Sequence, residues 1–340
     1  MKSRPQGRLF FVFHDAHILR KNSIFDKQNR RGNMSTAKFI TLGCGSAMPL
    51  KDRANAAHLL CLSDKLYLID CGEGAQVALK ETGVHTERIN NIFISHLHGD
   101  HIFGLLPLLS TLSMRGRRSP LTIHAHKDLV ELIEPLRKYF MADLSFELTI
   151  HPIDPRKAEV IFEDNKVVVS TIPLKHSVPT CGFLFREKEQ GRKIIKEKLK
   201  EYDIPLAAIP GLKDGDDFVT DGGEVISNSE LTIDPKPVRS FAYCSDTAYT
   251  ESIVDIIKGV DMLYHEATYC EADKDRIRKT MHSTARQAAE IAKKAGVKRL
   301  VIGHYSSRYR KDEEIKQMAA EAREVFENTV TAKDMAVFRF

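Results

Sequence analysis

Ser95-His96-Leu97-His98-Gly99-Asp100-His101, directly after the strand-like run Asn91-Ile92-Phe93-Ile94, is the stretch on which the reading of this 340-residue chain turns. Three imidazoles and a carboxylate within residues 96–101 are costly to fold together unless something binds them. Imidazole nitrogen and carboxylate oxygen form a donor set that suits Zn²⁺. At this spacing His96 and His98 can converge on one ion, while the adjacent Asp100 and His101 diverge toward a second. Gly99 is expected to permit the tight turn between the two pairs.

A single motif does not fill two coordination shells, so further ligands are expected at the ends of other strands. Val167-Val168-Val169 leads through Ile172 to His176, Phe241-Ala242-Tyr243-Cys244-Ser245 leads to Asp246, and Leu300-Val301-Ile302-Gly303 leads to His304. In α/β sheets, sites form where strands end at a common edge. The expected shells are His96, His98 and His176 for one ion and Asp100, His101 and His304 for the other, with Asp246 as a shared carboxylate.

The rest of the chain is consistent with such a site in a soluble protein. It is 42% hydrophobic and 29% charged, an ordinary globular composition, and no apolar stretch approaches the roughly 18 residues that cross a membrane. The six cysteines are scattered without a CxxC pair, which points to reduced thiols in the cytoplasm. Net charge is +5, yet residues 1–33 alone carry eight Lys or Arg against two Asp, so the remaining body is nearly neutral. Global charge therefore gives no argument for nucleic acid, and any such contact must come from local patches. Residues 1–33 read as an N-terminal extension outside the fold, and 34–340 as one domain.

Within that domain strands are expected at 38–42, 58–62, 66–70, 92–95, 167–172, 240–244 and 299–302. Helices are expected at 74–82, 101–113, 127–139, 251–258, 283–295 and 312–327. This mixture favours a layered α/β architecture. The charged, Gly- and Pro-punctuated stretch from about 186 to 223 reads as an arm projecting from the core.

The motif resembles that of the metallo-β-lactamase superfamily, and its neighbours resemble ribonuclease Z, over nearly the whole of 38–340. The resemblance rests on Leu42-Gly43-Cys44-Gly45-Ser46-Ala47-Met48-Pro49, on Asp70-Cys71-Gly72-Glu73-Gly74-Ala75-Gln76, on His265-Glu266-Ala267-Thr268, on His282-Ser283-Thr284-Ala285 and on His304-Tyr305-Ser306-Ser307-Arg308-Tyr309. It implies an αββα sandwich, two mixed sheets flanked by helices, holding two Zn²⁺ ions. It further implies a cytoplasmic homodimer that removes the 3′ trailer from precursor tRNA. In the family the histidine of the HST element and the glutamate of HEAT act together, which here are His282 and Glu266. His282, held by Glu266, would protonate the leaving 3′-oxygen, and Asp100 would orient the attacking hydroxide and take its proton. Asp70 is expected to organise the histidine loop from behind.

Two features depart from the family pattern. The loop after the first strand reads Pro49-Leu50-Lys51-Asp52-Arg53-Ala54, without the usual Pro-Thr and Arg-Asn. The arm carries Leu212-Lys213-Asp214-Gly215 but lacks the Gly-Pro ahead of it. Two basic groups could meet phosphates or simply be solvated: Lys193 to Lys200, read as a helix, and the cluster Arg115, Arg117 and Arg118. His124-Ala125-His126-Lys127-Asp128 repeats the HxHxD pattern without its final histidine and is expected to bind no metal. His265 is expected to make a structural hydrogen bond, and His58, His85 and His151 to be surface or satisfied core groups. A same-fold hydrolase of small phosphodiesters or other non-RNA esters is the alternative activity. A zinc protein used only for binding is a third reading, opposed by seven ligands standing beside Glu266 and His282.

Overall fold

The computed structural model describes residues 37–141 and 143–340, so the expectation for 1–33 lies outside the described residues. The first sheet is built from β1 (Lys38–Gly43), β2 (Ala57–Leu62), β3 (Lys65–Cys71), β4 (Ile89–Phe93), β5 (Leu121–His126) and β6 (Leu148–Ile153). Strands β7 (Val160–Glu163), β8 (Val167–Pro173) and β9 (Cys181–Glu187) open the second sheet. After an excursion containing the two-residue strands β10 to β13 (193–194, 218–219, 225–226 and 232–233), that sheet resumes with β14 (Ser240–Cys244), β15 (Met262–Glu266), β16 (Leu300–Gly303) and β17 (Thr329–Thr331). The last strand, β18 (Val337–Arg339), returns to the first sheet.

Both sheets have seven strands, in the orders β18-β1-β2-β3-β4-β5-β6 and β17-β16-β15-β14-β9-β8-β7. Each is mixed. In the first sheet β3 through β6 run parallel and the other pairs antiparallel; in the second β14 through β17 run parallel.

The period-2 alternation of strand side chains sorts the two hydrophobic layers. Along β3, Leu66 and Leu68 face one cluster, with Leu79, Leu105, Leu109 and Ile133 of the helices covering the first sheet. Tyr67 and Ile69 face the other, where they meet Phe183, Phe185 and Phe241 of the opposing sheet. Helices Ala285–Ala295 and Asp312–Arg323 bury Ala288, Ile291, Ile315 and Met318 in that same cluster and cap the outer face of the second sheet. The result is the expected αββα sandwich.

The excursion between Glu187 and Ser240 has its own small core of Ile204, Leu212, Ile226 and Leu231. Asn228 ties it together by donating from Nδ2 to the carbonyls of Leu212 and Asp216 at 2.8 and 2.7 Å. Two expectations fail at the level of elements. Residues 251–258 form a 3₁₀ turn over Glu251–Ile253 followed by further turns, because Ile253 and Ile257 bury themselves without a full helix. The lysine-rich segment is not one helix: Lys193 lies on β10, and only Lys196–Glu201 is helical.

Candidate metal centre and active site

The carboxyl ends of β3, β4, β8, β14, β15 and β16 converge at one edge of the sandwich, and the loops that follow them meet there. The loop after β4 delivers His96 and His98 and then opens a short helix, Gly99–Ile102, carrying Asp100 and His101. His176 follows β8, Asp246 follows β14, and His304 follows β16. His304 and Asp70 both adopt the left-handed conformation, φ 61° and 55°, a strain that non-glycine residues bear where a site dictates the backbone.

These seven side chains assemble into two adjoining groups. Ligand atoms of His96, His98, His176 and Asp246 lie within 4.8 Å of one another, as do those of Asp100, His101 and His304. In the first group His96 Nε2 stands 3.0 Å from His98 Nδ1, which is 3.4 Å from His176 Nε2. In the second, His101 Nε2 and His304 Nε2 are 3.2 Å apart, and Asp100 Oδ2 is 3.6 and 3.5 Å from them. Asp246 spans both: Oδ2 is 3.6 Å from His96 Nε2, while Oδ1 is 3.1 Å from His304 Nε2 and 3.4 Å from His101 Nε2.

The surroundings fix which nitrogen faces inward. His96 Nδ1 lies 3.0 Å from Ser95 Oγ, His101 Nδ1 2.8 Å from Asp70 Oδ2, His176 Nδ1 3.0 Å from the Met281 carbonyl, and His304 Nδ1 3.1 Å from Thr268 Oγ1. With Nδ1 engaged, Nε2 of each ring is left to the centre, the arrangement that metal-binding histidines need. Asp70, fully buried, also accepts from the Ser95 amide at 2.8 Å, the Ser95 hydroxyl at 2.9 Å and the Tyr243 hydroxyl at 2.6 Å. Ala47 donates its amide to Asp100 Oδ2 at 2.7 Å.

The residues fit a pair of divalent cations on several counts. Asp246 Oδ1 is buried with no hydrogen-bond donor, which is costly for a carboxylate oxygen unless a cation takes that place. Burial holds His96, His98 and His176 below their ordinary range, as neutral imidazoles able to coordinate. Burial also disfavours a proton on His101, yet the carboxylates of Asp246 and Asp70 outweigh it and raise that pKa well above normal; the pocket calls for positive charge.

Beside this centre stands Glu266 at the end of β15, fully buried. Its Oε1 accepts from His282 Nδ1 and from the amides of Thr247 and Ser283, all at 3.0 Å. Oε2 accepts from the Thr268 amide at 2.9 Å and its hydroxyl at 2.8 Å. Burial opposes a charged His282, but the charge and hydrogen bond of Glu266 prevail and raise its pKa to about 9. The segment after His282 is pinned as well: Ser283 donates its hydroxyl to the Thr247 carbonyl at 2.7 Å, and Thr284 and Gln287 form a capping box that opens helix 285–295. The centre opens on a cleft of about 600 Å³ whose walls include Ser46, Glu73, Phe103, His98, Lys279 and His282.

Among the described residues the other histidines stand outside these groups. His124 is buried, stacks 4.6 Å from Phe93 and meets Asn91 Oδ1 at 3.0 Å. His265 Nδ1 lies 2.7 Å from the Glu266 carbonyl, a structural bond as expected. His85 and His151 are exposed. His58 is neither on the surface nor satisfied: it is fully buried among Phe39, Tyr243 and Tyr264 with both ring nitrogens unpartnered among the described residues. Burial, reinforced by His101 and His304, keeps it neutral.

Gly99 does not adopt a positive φ; a Cβ there would stand 2.3 Å from the exposed Phe103 ring, which would have to turn aside. Arg117 is not part of a surface cluster either. It is buried, donating to the carbonyls of Ser119, Glu87 and Pro120 and to Asn90 Oδ1 at 2.7, 3.1, 2.8 and 2.8 Å.

Sequence comparisons agree with this geometry. Residues 37–192 match the family described as the anti-Pycsar protein Apyc1, and residues 202–305 match the β-lactamase superfamily domain. Ribonuclease Z of Bacteroides fragilis (strain YCH46) is 47% identical over 293 residues, covering 86% of this chain and 95% of the relative. Ribonuclease Z of Parabacteroides distasonis is 48% identical over the same length and shares. The crystal structure of the short form of human tRNase Z superposes with a TM-score of 0.63 at 25% identity, covering 88% of this chain and 98% of that one. The chain therefore belongs to the ribonuclease Z family, metal-dependent nucleases of the metallo-β-lactamase fold that hydrolyse phosphodiester bonds.

Proposed function

We propose that the chain is a two-zinc endoribonuclease that removes the 3′ trailer from precursor tRNA, leaving a tRNA with a 3′-OH and a trailer with a 5′-phosphate. The observation that carries this reading is the pairing of two imidazole–carboxylate shells around Asp246 with a histidine held by a buried glutamate. His96, His98, His176 and Asp246 would hold one cation, and Asp100, His101, His304 and Asp246 the other. Nitrogen and oxygen donors of this kind suit Zn²⁺. Cations bound there supply Lewis acidity, lowering the pKa of water toward about 7 and neutralising charge on the phosphoryl oxygens.

The chain's own residues then divide the proton work. Asp100, tethered by the Ala47 amide, orients the attacking water and accepts its proton. His282, which reaches the cleft, donates a proton to the leaving 3′-oxygen. Glu266 fixes the Nδ1–H tautomer and stabilises the imidazolium. The excursion after β9, expected at about 186–223, is proposed as an arm for the tRNA body. Lys193, Lys196 and Lys200 are exposed there, while Lys198 is engaged by Glu201 and Glu230 at 2.9 and 3.3 Å.

We further propose a cytoplasmic homodimer. The six cysteines are all unpaired, as suits a reducing compartment, and no helix among the described residues is long and apolar enough to cross a membrane. Helix Asp128–Phe140 exposes Val130, Leu132, Leu136 and Tyr139, a face suited to a second copy. The test is product mapping on a trailer-bearing precursor tRNA, with and without a chelator, beside small nitrophenyl and thioester substrates. A single metal-dependent cut that leaves a tRNA 3′-OH is expected. Hydrolysis of the small esters with the precursor left intact would replace this reading by a small-molecule hydrolase.

A further inference from the structure

The cleft has one side chain that the chemistry above does not use. Among the described residues Lys279 is the only lysine or arginine lining the metal cleft, and it also lines, with Thr280, a neighbouring cavity of about 430 Å³. Its side chain is exposed and forms no ion pair or hydrogen bond with the described residues. Arg276, which lines the second cavity, and Arg308 both hold Asp273, at 3.1 and 2.9 Å, and Lys274 holds Glu271 at 3.6 Å. Apart from Asp100 and Asp246 of the centre, the acids lining the two cavities are Glu73 and Asp275, both exposed, and Asp273, already held by Arg276 and Arg308.

The backbone that carries Lys279 is anchored. It sits in the short helix Ile277–Thr280, and the next residue, Met281, adopts a left-handed φ of 55°. The Met281 carbonyl is 3.0 Å from His176 Nδ1, and His282 follows, fixed by Glu266. A positive charge is thus carried three residues before the histidine that faces the leaving oxygen, at the passage between two cavities. A polynucleotide whose scissile phosphate occupies the metal centre carries a further phosphate on each side, and a small diester carries none.

We propose that Lys279 is a substrate-positioning residue that binds the phosphate on the 5′ side of the leaving 3′-oxygen, so that the upstream strand passes from the metal cleft into the second cavity. This rests on the endoribonuclease reading above, because only a polynucleotide has that phosphate. A flexible lysine suits the contact as a point charge with little geometric demand. Each phosphate neutralised releases condensed counterions, which makes the contact countable from salt dependence.

The experiment measures binding of the cleavage product, an RNA ending in the 3′-OH that keeps this phosphate and cannot be cut again, by fluorescence anisotropy across a range of KCl. For Lys279→Gln the expected slope of log Kd against log salt is shallower than wild type by about 0.7 to 0.9. Binding at low salt is expected to weaken about three- to tenfold. Lys279→Arg should keep the wild-type slope. A neutral methylphosphonate at the 5′-side position should weaken wild type as Lys279→Gln does and add nothing to that variant; the same replacement one position further upstream should weaken both alike. An unchanged slope in Lys279→Gln, or losses that simply add, would overturn the assignment while leaving RNA cleavage by the wild type intact. Wild-type chain that cuts no precursor RNA would instead overturn the activity on which it rests.

Discussion

Oε1 of Glu266 stands 3.0 Å from Nδ1 of His282, with the carboxylate fully buried and the imidazole opening on the metal cleft. The same carboxylate is held by the amides of Thr247, Thr268 and Ser283, and through the Thr268 hydroxyl it connects to His304 Nδ1. Thr247 directly follows Asp246. Glu266 therefore keys the position of the proposed acid to both Asp246, the proposed shared carboxylate, and His304, a proposed ligand of the second cation. A carboxylate with this many donors has little freedom to move, so the histidine it holds is preorganised.

Replacing Glu266 by Gln should move the alkaline limb of the kcat–pH profile. A general acid must hold its proton, so the rate falls as pH rises through its pKa. Burial lowers the His282 pKa and Glu266 raises it to about 9. Removing the negative charge leaves burial in command and shifts the limb to lower pH by about a unit or more. Turnover at pH 8 should drop about 10- to 100-fold on RNA. An activated nitrophenyl ester, whose leaving group needs no proton, should show little of this loss; an alkaline limb that stays in place on RNA would remove the assignment.

Asp100→Ala should reduce turnover by about 10²- to 10⁴-fold while the fold persists. Asp100 lies at the edge of the centre and is tied to the rest of the protein chiefly by the Ala47 amide. The check combines phosphodiester turnover with a far-UV spectrum and a thermal melt. Near-normal turnover in a folded variant would exclude Asp100 as the base.

Arg117→Ala should destabilise the protein by on the order of 2 kcal/mol, because a buried side chain and its four hydrogen bonds are lost together. Denaturant melts measure that loss. The salt dependence of RNA binding by the remaining folded protein should match wild type. A stable variant with a reduced salt slope would return Arg117 to the RNA-contacting surface.

Much of the site was readable because strand ends can be read. The apolar runs that close on Asp246 and His304 are neighbours in the parallel part of the second sheet, and the run that closes on His176, separated from β14 by antiparallel β9, points the same way, so all three ends reach one edge. The αββα arrangement was legible only through the resemblance that motifs lying at turns between strands carry. What sequence did not show depends on tertiary contact. Gly99 was expected to serve a turn, but the ring four residues later, Phe103, occupies the space of its Cβ. His58 carries no local sign of its aromatic cage, since Phe39, Tyr243 and Tyr264 come from three other strands. Arg117 looks like its neighbours Arg115 and Arg118, which are exposed, until the carbonyls around it are seen. Residues 251–258 show helical spacing that packing satisfies with turns instead. The roles of Thr247 toward Glu266 and of Met281 toward His176 are carried by backbone groups, to which side-chain identity is nearly silent.

Metal analysis of purified chains tests the two-cation centre most directly. Wild type is expected to hold about two zinc ions per chain. His176→Ala and His304→Ala should each fall to about one, and Asp246→Ala, which removes a ligand from both shells, should fall below either. Wild type saturating at a single ion, or all three variants retaining two, would contradict the shared-carboxylate centre on which the account is built.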